Sequence, residues 1–397
     1  MEEIFYKSNP WWEENFTFSG VYRNIYLQKL NDVLENRDIV FITGLRRVGK
    51  TSILKNFISD LLHKKKINPK HIFYITLDLI ALNDMNITQI VQEYRKLHKI
   101  PSSQKIYIFL DEVTSKENYQ QELKNFYDLE NIKIYASSSS ASLLKDKSAY
   151  LTGRQRVIEV MPLNFNEYLL FRNITIKKSD AYLVESYFED YMNDGGMPEY
   201  VLTKDIGYLQ NLIDNIIYKD IIAYHNIKNG AVIKEFYKLL MERSGKQLSL
   251  NKIANILSIG VDSAKRYLSY FEDSYLIYTV EKYGKLNERI KNPKKIYAGD
   301  IGLRNVVTGF RDKGAIFENL IFLKIKHLHP KYVYTDGIEI DFMTENGVLI
   351  ESKYNSILSN KQKKLYNSIN ANKKIIVNSV KSYLTLEESL RSLSETH

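Results

Sequence analysis

Apolar runs and helical spacing alternate along the first 160 residues. The stretches 38–43, 71–78, 106–112, 132–137 and 156–161 are rich in Ile, Val, Phe, Tyr and Leu, which predicts strands. Between them, 52–58, 87–97 and 119–129 carry apolar residues at three- and four-residue intervals, which predicts helices. This alternation implies a parallel sheet with helices on both faces. Ahead of it, 26–34 has helical spacing. Asn9 and Pro10 open a turn followed by Trp11 and Trp12. We read those aromatics as a cap packed on the sheet in preference to a ligand box.

The pattern changes after residue 163. Helical stretches at 165–171, 181–192, 209–225 and 232–243 follow one another with no strand between them. A short capped helix is then expected over 249–257. Gly260 breaks it, and a second helix over 261–274 carries Ser263, Lys265, Arg266 and Tyr267. The stretch 276–283 alternates like a wing strand. Such a winged helix either grips DNA through its second helix or packs only on protein. The slight positive charge of that helix argues against tight DNA binding by this element alone.

Two motifs in the first region carry chemistry. Gly44, Leu45, Arg46, Arg47, Val48, Gly49, Lys50 and Thr51 match G-x-x-x-x-G-K-[ST], set between a strand and the helix that Ser52 opens. Glycines allow a tight turn whose N–H groups point at phosphate oxygens, and the helix N-terminus adds positive potential. Lys50 is expected on the β- and γ-phosphates and Thr51 on Mg²⁺. The strand 106–112 ends in Asp111 and Glu112. Asp111 is expected to hold the Mg²⁺ shell and Glu112 to orient or deprotonate water. Together the motifs point to ATP hydrolysis. After the strand 132–137, Ser138 is the candidate γ-phosphate contact, with Ser137 beside it; a capping role is the other reading. Arg154 is either an arginine finger, in cis or across a subunit interface, or a structural ion pair.

Composition narrows the setting. With 44% hydrophobic and 26% charged residues, the chain has a soluble globular balance. No eighteen-residue apolar run implies a membrane span, and no signal peptide is expected. Zero cysteines exclude disulfides, thiolate nucleophiles and Cys-bound zinc, and fit a cytoplasmic location. The net charge of +9 permits nucleic-acid binding without demanding it.

These motifs make the chain similar to a prokaryotic AAA+-type family often called the archaeal-type ATPases. That resemblance rests on the phosphate loop, Asp111-Glu112, Gly153-Arg154, the P-L-x-F-x-E-Y run from Pro162 to Tyr168, and Gly195-Gly196-Met197-Pro198. Ala136-Ser137-Ser138 stands where T-G-S is usual. The resemblance implies that residues 164–245 form a helical lid.

The last hundred residues return to α/β patterning. A helix over 314–325 carries Glu318, and strands follow at 333–336, 338–343 and 348–354, with a turn at Glu345-Asn346-Gly347. The hairpin sets Asp341 opposite Glu351 and Lys353, and alternation points the latter two to one face. Carboxylates and a lysine so placed can bind Mg²⁺ and cleave phosphodiesters. This resembles the PD-(D/E)xK nuclease fold, with Ile340 in place of its proline. It implies metal ligands Glu318, Asp341 and Glu351, catalytic Lys353, and support from Gln362. An inactive relic that binds DNA or protein is the alternative. Lysines 361, 363, 364, 373 and 374 could steer DNA toward this site or simply keep the surface soluble.

The expected architecture is therefore α/β. It comprises a cap (1–37), a P-loop NTPase parallel sheet (38–163), a helical lid (164–245), a winged helix (246–290) and a restriction-endonuclease-like domain (291–397). The expected function is an ATP- and Mg²⁺-dependent AAA+ ATPase, coupled to binding or cleavage of double-stranded DNA. The alternative is a nucleotide-dependent signalling or defence switch that binds partners without cutting. A homo-oligomer is compatible with either.

Overall fold

The computed structural model describes residues 1–141 and 151–391. The chain forms two compact units, Met1–Met161 and Pro162–His397. The five segments expected from sequence thus gather into two. The first 37 residues join the phosphate-loop core, and the helical, winged-helix and C-terminal segments fall in the second unit.

In the first unit, strands β1 (Ile39–Thr43), β2 (Ile72–Thr76), β3 (Ile106–Asp111), β4 (Ile132–Ser138) and β5 (Gln155–Glu159) form one sheet in the order β2-β3-β4-β1-β5. Every neighbouring pair is parallel. β1, β3 and β4 are buried at every position, which is why they read as unbroken apolar runs. On one face, Phe41, Ile75, Ile108, Leu110 and Ile134 pack with Ile90, Tyr94, Leu123 and Phe126 from the helices Ile87–His98 and Tyr119–Leu129. Burying each such side chain is worth about 1.5–3 kcal/mol. On the other face, Phe57 of the helix Lys50–His63 meets Phe109 and Tyr135 edge-on.

β2 is an edge strand, and the N-terminal residues cover it. Asn9 accepts from the Tyr74 N–H at 2.6 Å and donates to the Tyr74 carbonyl at 2.9 Å. Its side-chain amide thereby takes the place of a neighbouring strand. The Trp11 and Trp12 indoles donate to the Ile72 carbonyl at 3.2 and 3.0 Å, and Trp12 stacks on Phe73 and Tyr94.

The second unit begins with helices Phe165–Phe171, Val184–Asp194, Pro198–Thr203, Ile206–Asn215 and Gly230–Glu242. The expected helix 181–192 starts instead with a 3₁₀ turn, Lys178–Leu183, and 209–225 passes into a π-helical stretch, Ile216–Ala223. Gly195 has φ +74°, and a Cβ there would lie 2.1 Å from the Gly302 nitrogen, so only glycine fits. The helix–turn–helix Leu250–Ile256 and Val261–Asp273 leads into β6 (Ile277–Val280), which pairs antiparallel with β7 (Lys295–Ala298). The expected boundary at 290 falls between these two bonded strands. After the helix Lys313–Ile325 come β8 (Lys331–Thr335), β9 (Ile338–Met343), β10 (Val348–Ser352) and β11 (Lys373–Val377), in the order β11-β10-β9-β8. The β9–β10 hairpin is antiparallel with Phe342 opposite Ile350, which brings Asp341 level with Glu351. Among the described residues, no helix is long and apolar enough to cross a membrane.

Candidate nucleotide site and the C-terminal acid cluster

The loop after β1 is built by backbone constraints. Gly44 has φ +138°, and a Cβ there would sit 2.4 Å from the Val160 carbonyl oxygen; Gly49 has φ +100° as it opens the helix Lys50–His63. Arg47 lies at φ 63° and is exposed, as are Thr51 and Ser52, whereas Leu45 and Val48 anchor the loop in the core. Lys50 is buried, its ammonium donating to the carbonyls of Gly44 at 2.9 Å and Leu45 at 3.1 Å. Arg23, from the segment read as a cap, donates to the Val48 and Met161 carbonyls and stacks on Tyr26. Sequence reasoning missed this brace, because nothing local marks an arginine 25 residues away from its partner.

The two motifs meet. Thr51 Oγ1 donates to Asp111 Oδ2 at 2.6 Å across 60 residues of sequence. Tyr74 donates to the same oxygen at 2.8 Å, and Ser137 donates to Oδ1. All three donors are neutral hydroxyls, so among the described residues no cationic side chain pairs with the Asp111 carboxylate. Burial and the Asp111 charge push the Tyr74 phenol well above its ordinary range, which keeps it a donor. A hydroxyl beside a buried carboxylate is a donor set that fits a hard divalent cation.

Glu112 is held in the left-handed region at φ 52°. Its N–H donates to Ser137 Oγ at 3.0 Å, and its Oε1 accepts from Ser139 at 2.7 Å. The serines therefore divide their work. Ser137 serves the two acids, while the Ser138 hydroxyl accepts from the Ser140 N–H at 3.1 Å and meets Thr114 at 3.2 Å. Successive side chains on β4 point to opposite faces, and Ser137 is the one on the face of the Asp111 side chain.

Arg154 lies away from its own loop. Its carbonyl accepts from the Ile39 N–H at 2.8 Å, at the start of β1, and Gly44 follows the other end of that strand. At roughly 3.3 Å per strand residue, about 15 Å separate them. The guanidinium pairs with Asp128 at 3.2 Å and lies over Tyr127. Of the readings offered, the ion pair is the one formed here; in a parallel sheet, every strand begins at the end opposite the phosphate loop. A cavity of about 500 Å³ lined by Asn36, Lys105, Asp128 and Lys133 opens at that same far end, so it is not the nucleotide site.

In the second unit, the expected acids do converge, with an unexpected guest. Lys295 of β7 is 1% exposed, and its ammonium reaches Glu318 at 2.7 Å, Asp341 at 3.1 Å and Glu339. Glu318 also accepts from Tyr297 at 2.8 Å, and Glu339 from Gln247 at 2.8 Å. Asp341 Oδ2 accepts from the Ser352 N–H at 2.9 Å, and Glu351 Oε2 from the Asp341 N–H at 3.0 Å. Lys353 pairs with Glu351 Oε1 at 2.7 Å, and Gln362 donates to the same oxygen at 3.3 Å. Burial, reinforced by the Asp341 charge, raises Glu318 to about 8 and Glu351 to about 7. Burial works against the Lys295 ammonium, but Glu318 and its neighbours outweigh it and hold the group protonated. Among the described residues, no group of three or more His, Asp or Glu side chains is arranged to hold a metal ion. Protein donors thus meet the oxygens that the ligand set expected at Glu318, Asp341 and Glu351 would offer a cation.

Charge in the helix–turn–helix region also departs from expectation. On Val261–Asp273, Lys265 and Arg266 are outnumbered by Asp262, Glu272 and Asp273, a net −1. The β6–β7 connection, 281–294, carries Lys282, Lys285, Arg289, Lys291 and Lys294 against Glu281 and Glu288, a net +3. There Lys285, Lys291 and Lys294 are exposed, beside exposed Leu286 and Ile290.

Residues 36–169 match the family described as an AAA domain, and residues 185–314 match a domain of unknown function (DUF8612) that spans the expected boundary at 290. The uncharacterized protein MJ1544 of Methanocaldococcus jannaschii is 30% identical over 356 residues, covering 82% of this chain and 77% of that protein. An uncharacterized protein of Haemophilus influenzae is 28% identical, covering 81% and 83%. Among solved structures, the Aeropyrum pernix ORC1 protein in complex with DNA aligns with a TM-score of 0.34 at 10% identity, covering 76% of this chain and 96% of that one.

Proposed function

This chain belongs to the same family as MJ1544, and from the AAA-domain match over residues 36–169 we propose that it binds ATP at residues 44–52 and hydrolyses it to ADP and phosphate. The carrying observation is the 2.6 Å contact between Thr51 and Asp111, which joins the two motifs at one point. In this reading, the loop N–H groups and Lys50 bind the phosphates. Thr51 and Asp111 would hold Mg²⁺, which supplies positive charge to the terminal phosphate oxygens. Glu112, steadied by Ser139, takes the proton from the attacking water. Arg154, far from its own loop, serves the site of a neighbouring copy in a homo-oligomer. The test is Glu112→Gln. Retained ATP binding with turnover down about 10²–10⁴-fold is expected; unchanged turnover would remove Glu112 from the mechanism. For Arg154, wild-type turnover per subunit should rise with protein concentration, and Arg154→Ala should abolish that rise.

A second reading concerns the C-terminal region. Because the acids of β9 and β10 are occupied by protein donors, we propose that this region binds double-stranded DNA in a nucleotide-dependent manner without cutting it. Exposed Lys285, Lys291 and Lys294 would meet the phosphates, so affinity should fall steeply with salt. Plasmid nicking with Mg²⁺ or Mn²⁺ that Asp341→Ala abolishes would restore the nuclease assignment.

A further inference from the structure

The cluster around Lys295 has a charge problem that a metal site does not have. Four carboxylates, Glu318, Glu339, Asp341 and Glu351, lie buried or part-buried with two ammoniums, Lys295 and Lys353. Buried carboxylates are costly unless a cation or well-placed donors accompany them. Here Lys295 supplies the cation at the point where three of the acids approach one another. It arrives from β7, outside the β8–β11 sheet that bears Asp341 and Glu351. Of the eight carboxylate oxygens, only Glu318 Oε2 lacks a donor among the described residues.

We propose that the Lys295 ammonium stands in for a divalent cation, masking a latent metal site formed by Glu318, Glu339 and Asp341. The residues present do not fit a metal while Lys295 is among them. An ammonium at 2.7 and 3.1 Å from two of these acids fills the volume and neutralises the charge that would attract Mg²⁺ or Mn²⁺. Removing the ammonium while leaving its stem opens a pocket of hard oxygen ligands, the donor type such ions prefer. Lys295 also ties the β6–β7 pair to the four-stranded sheet, so the same contact joins two parts of the second unit.

The inference rests on the non-cutting reading of this region but is tested without DNA or nucleotide, so the two can fail separately. Mn²⁺ is titrated into the full-length protein by isothermal calorimetry, comparing wild type, Asp341→Asn, Lys295→Met and the double variant. Wild type and Asp341→Asn should be indistinguishable. Lys295→Met should gain one Mn²⁺ site at least about tenfold tighter than any in wild type. The double variant should lose it, and Mn²⁺ should raise the melting temperature of Lys295→Met alone. A wild-type site that Asp341→Asn removes overturns the proposal, as does a folded Lys295→Met protein that gains no site. If Lys295→Met does not fold with or without Mn²⁺, the wild-type and Asp341→Asn titrations decide alone: identical isotherms uphold the mask, and a difference overturns it.

Discussion

The two acidic sites use similar residues to opposite ends. At the end of β3, the side chains that meet Asp111 among the described residues are the hydroxyls of Thr51, Tyr74 and Ser137, and Lys50 donates to carbonyls of its own loop. On β9, Asp341 is met by an ammonium and a backbone N–H. Neutral donors orient a carboxylate and leave its charge available. An ammonium orients it and cancels the charge. The difference teaches that readiness for a cation depends on what holds an acid, more than on the number of acids present.

The largest expected effect tests the open site. Lys50→Ala should lower ATP turnover about 10²–10³-fold, read by phosphate release, since one preorganised charge at a phosphoryl site is worth that much. Parent-like turnover would break the comparison on the side of the first unit. Next is the closed site. Lys295→Ala removes one partner of a buried ion cluster, so a loss of about 3–5 kcal/mol is expected in urea unfolding. A loss below about 1 kcal/mol, the scale of an exposed pair, would show that the cluster does not carry its charge as described.

Asp300 sharpens the contrast with a third arrangement, an acid held by backbone N–H groups of Gly196 at 2.7 Å and Leu303 at 3.0 Å. Burial raises it from 3.8 to about 6, against the lowering effect of those donors. A raised acid folds better when protonated. Its contribution is present in full below pH 3.8 and lost as the pH climbs through about 6, on the order of 2–3 kcal/mol. Stability measured from pH 3.5 to 7 should carry this component in the parent and lack it in Asp300→Asn; parallel curves would refute it. The smallest effect is at Gln362, a neutral donor to Glu351. Gln362→Ala should cost about 1 kcal/mol and leave ATP turnover unaltered.

Much of the first unit was legible because its signals are local. The phosphate loop is contiguous, its glycines are dictated by φ, and fully buried parallel strands give unbroken apolar runs. Arg23, Tyr74 and Asn9 were not legible, since each acts on a partner distant in sequence. The position of Arg154 was readable in principle: it precedes a strand, and parallel strands all start at the end away from the loop. In the second unit, Gln362 was named through the nuclease-like resemblance. Lys295 was not, because β7 is four residues long and follows Asn292-Pro293-Lys294, so the lysine looks like part of a solvated linker. Only the β6–β7 pairing carries it inside.

The N-terminal residues over β2 have a practical consequence. Without Asn9, Trp11 and Trp12, the outer side of that strand would present bare backbone donors and acceptors beside the aromatic surface of Phe73 and Tyr94, a template for another chain's strand. A version of this protein shortened to begin near residue 20 should form concentration-dependent aggregates that light scattering detects at once, even though every residue of the phosphate loop is intact.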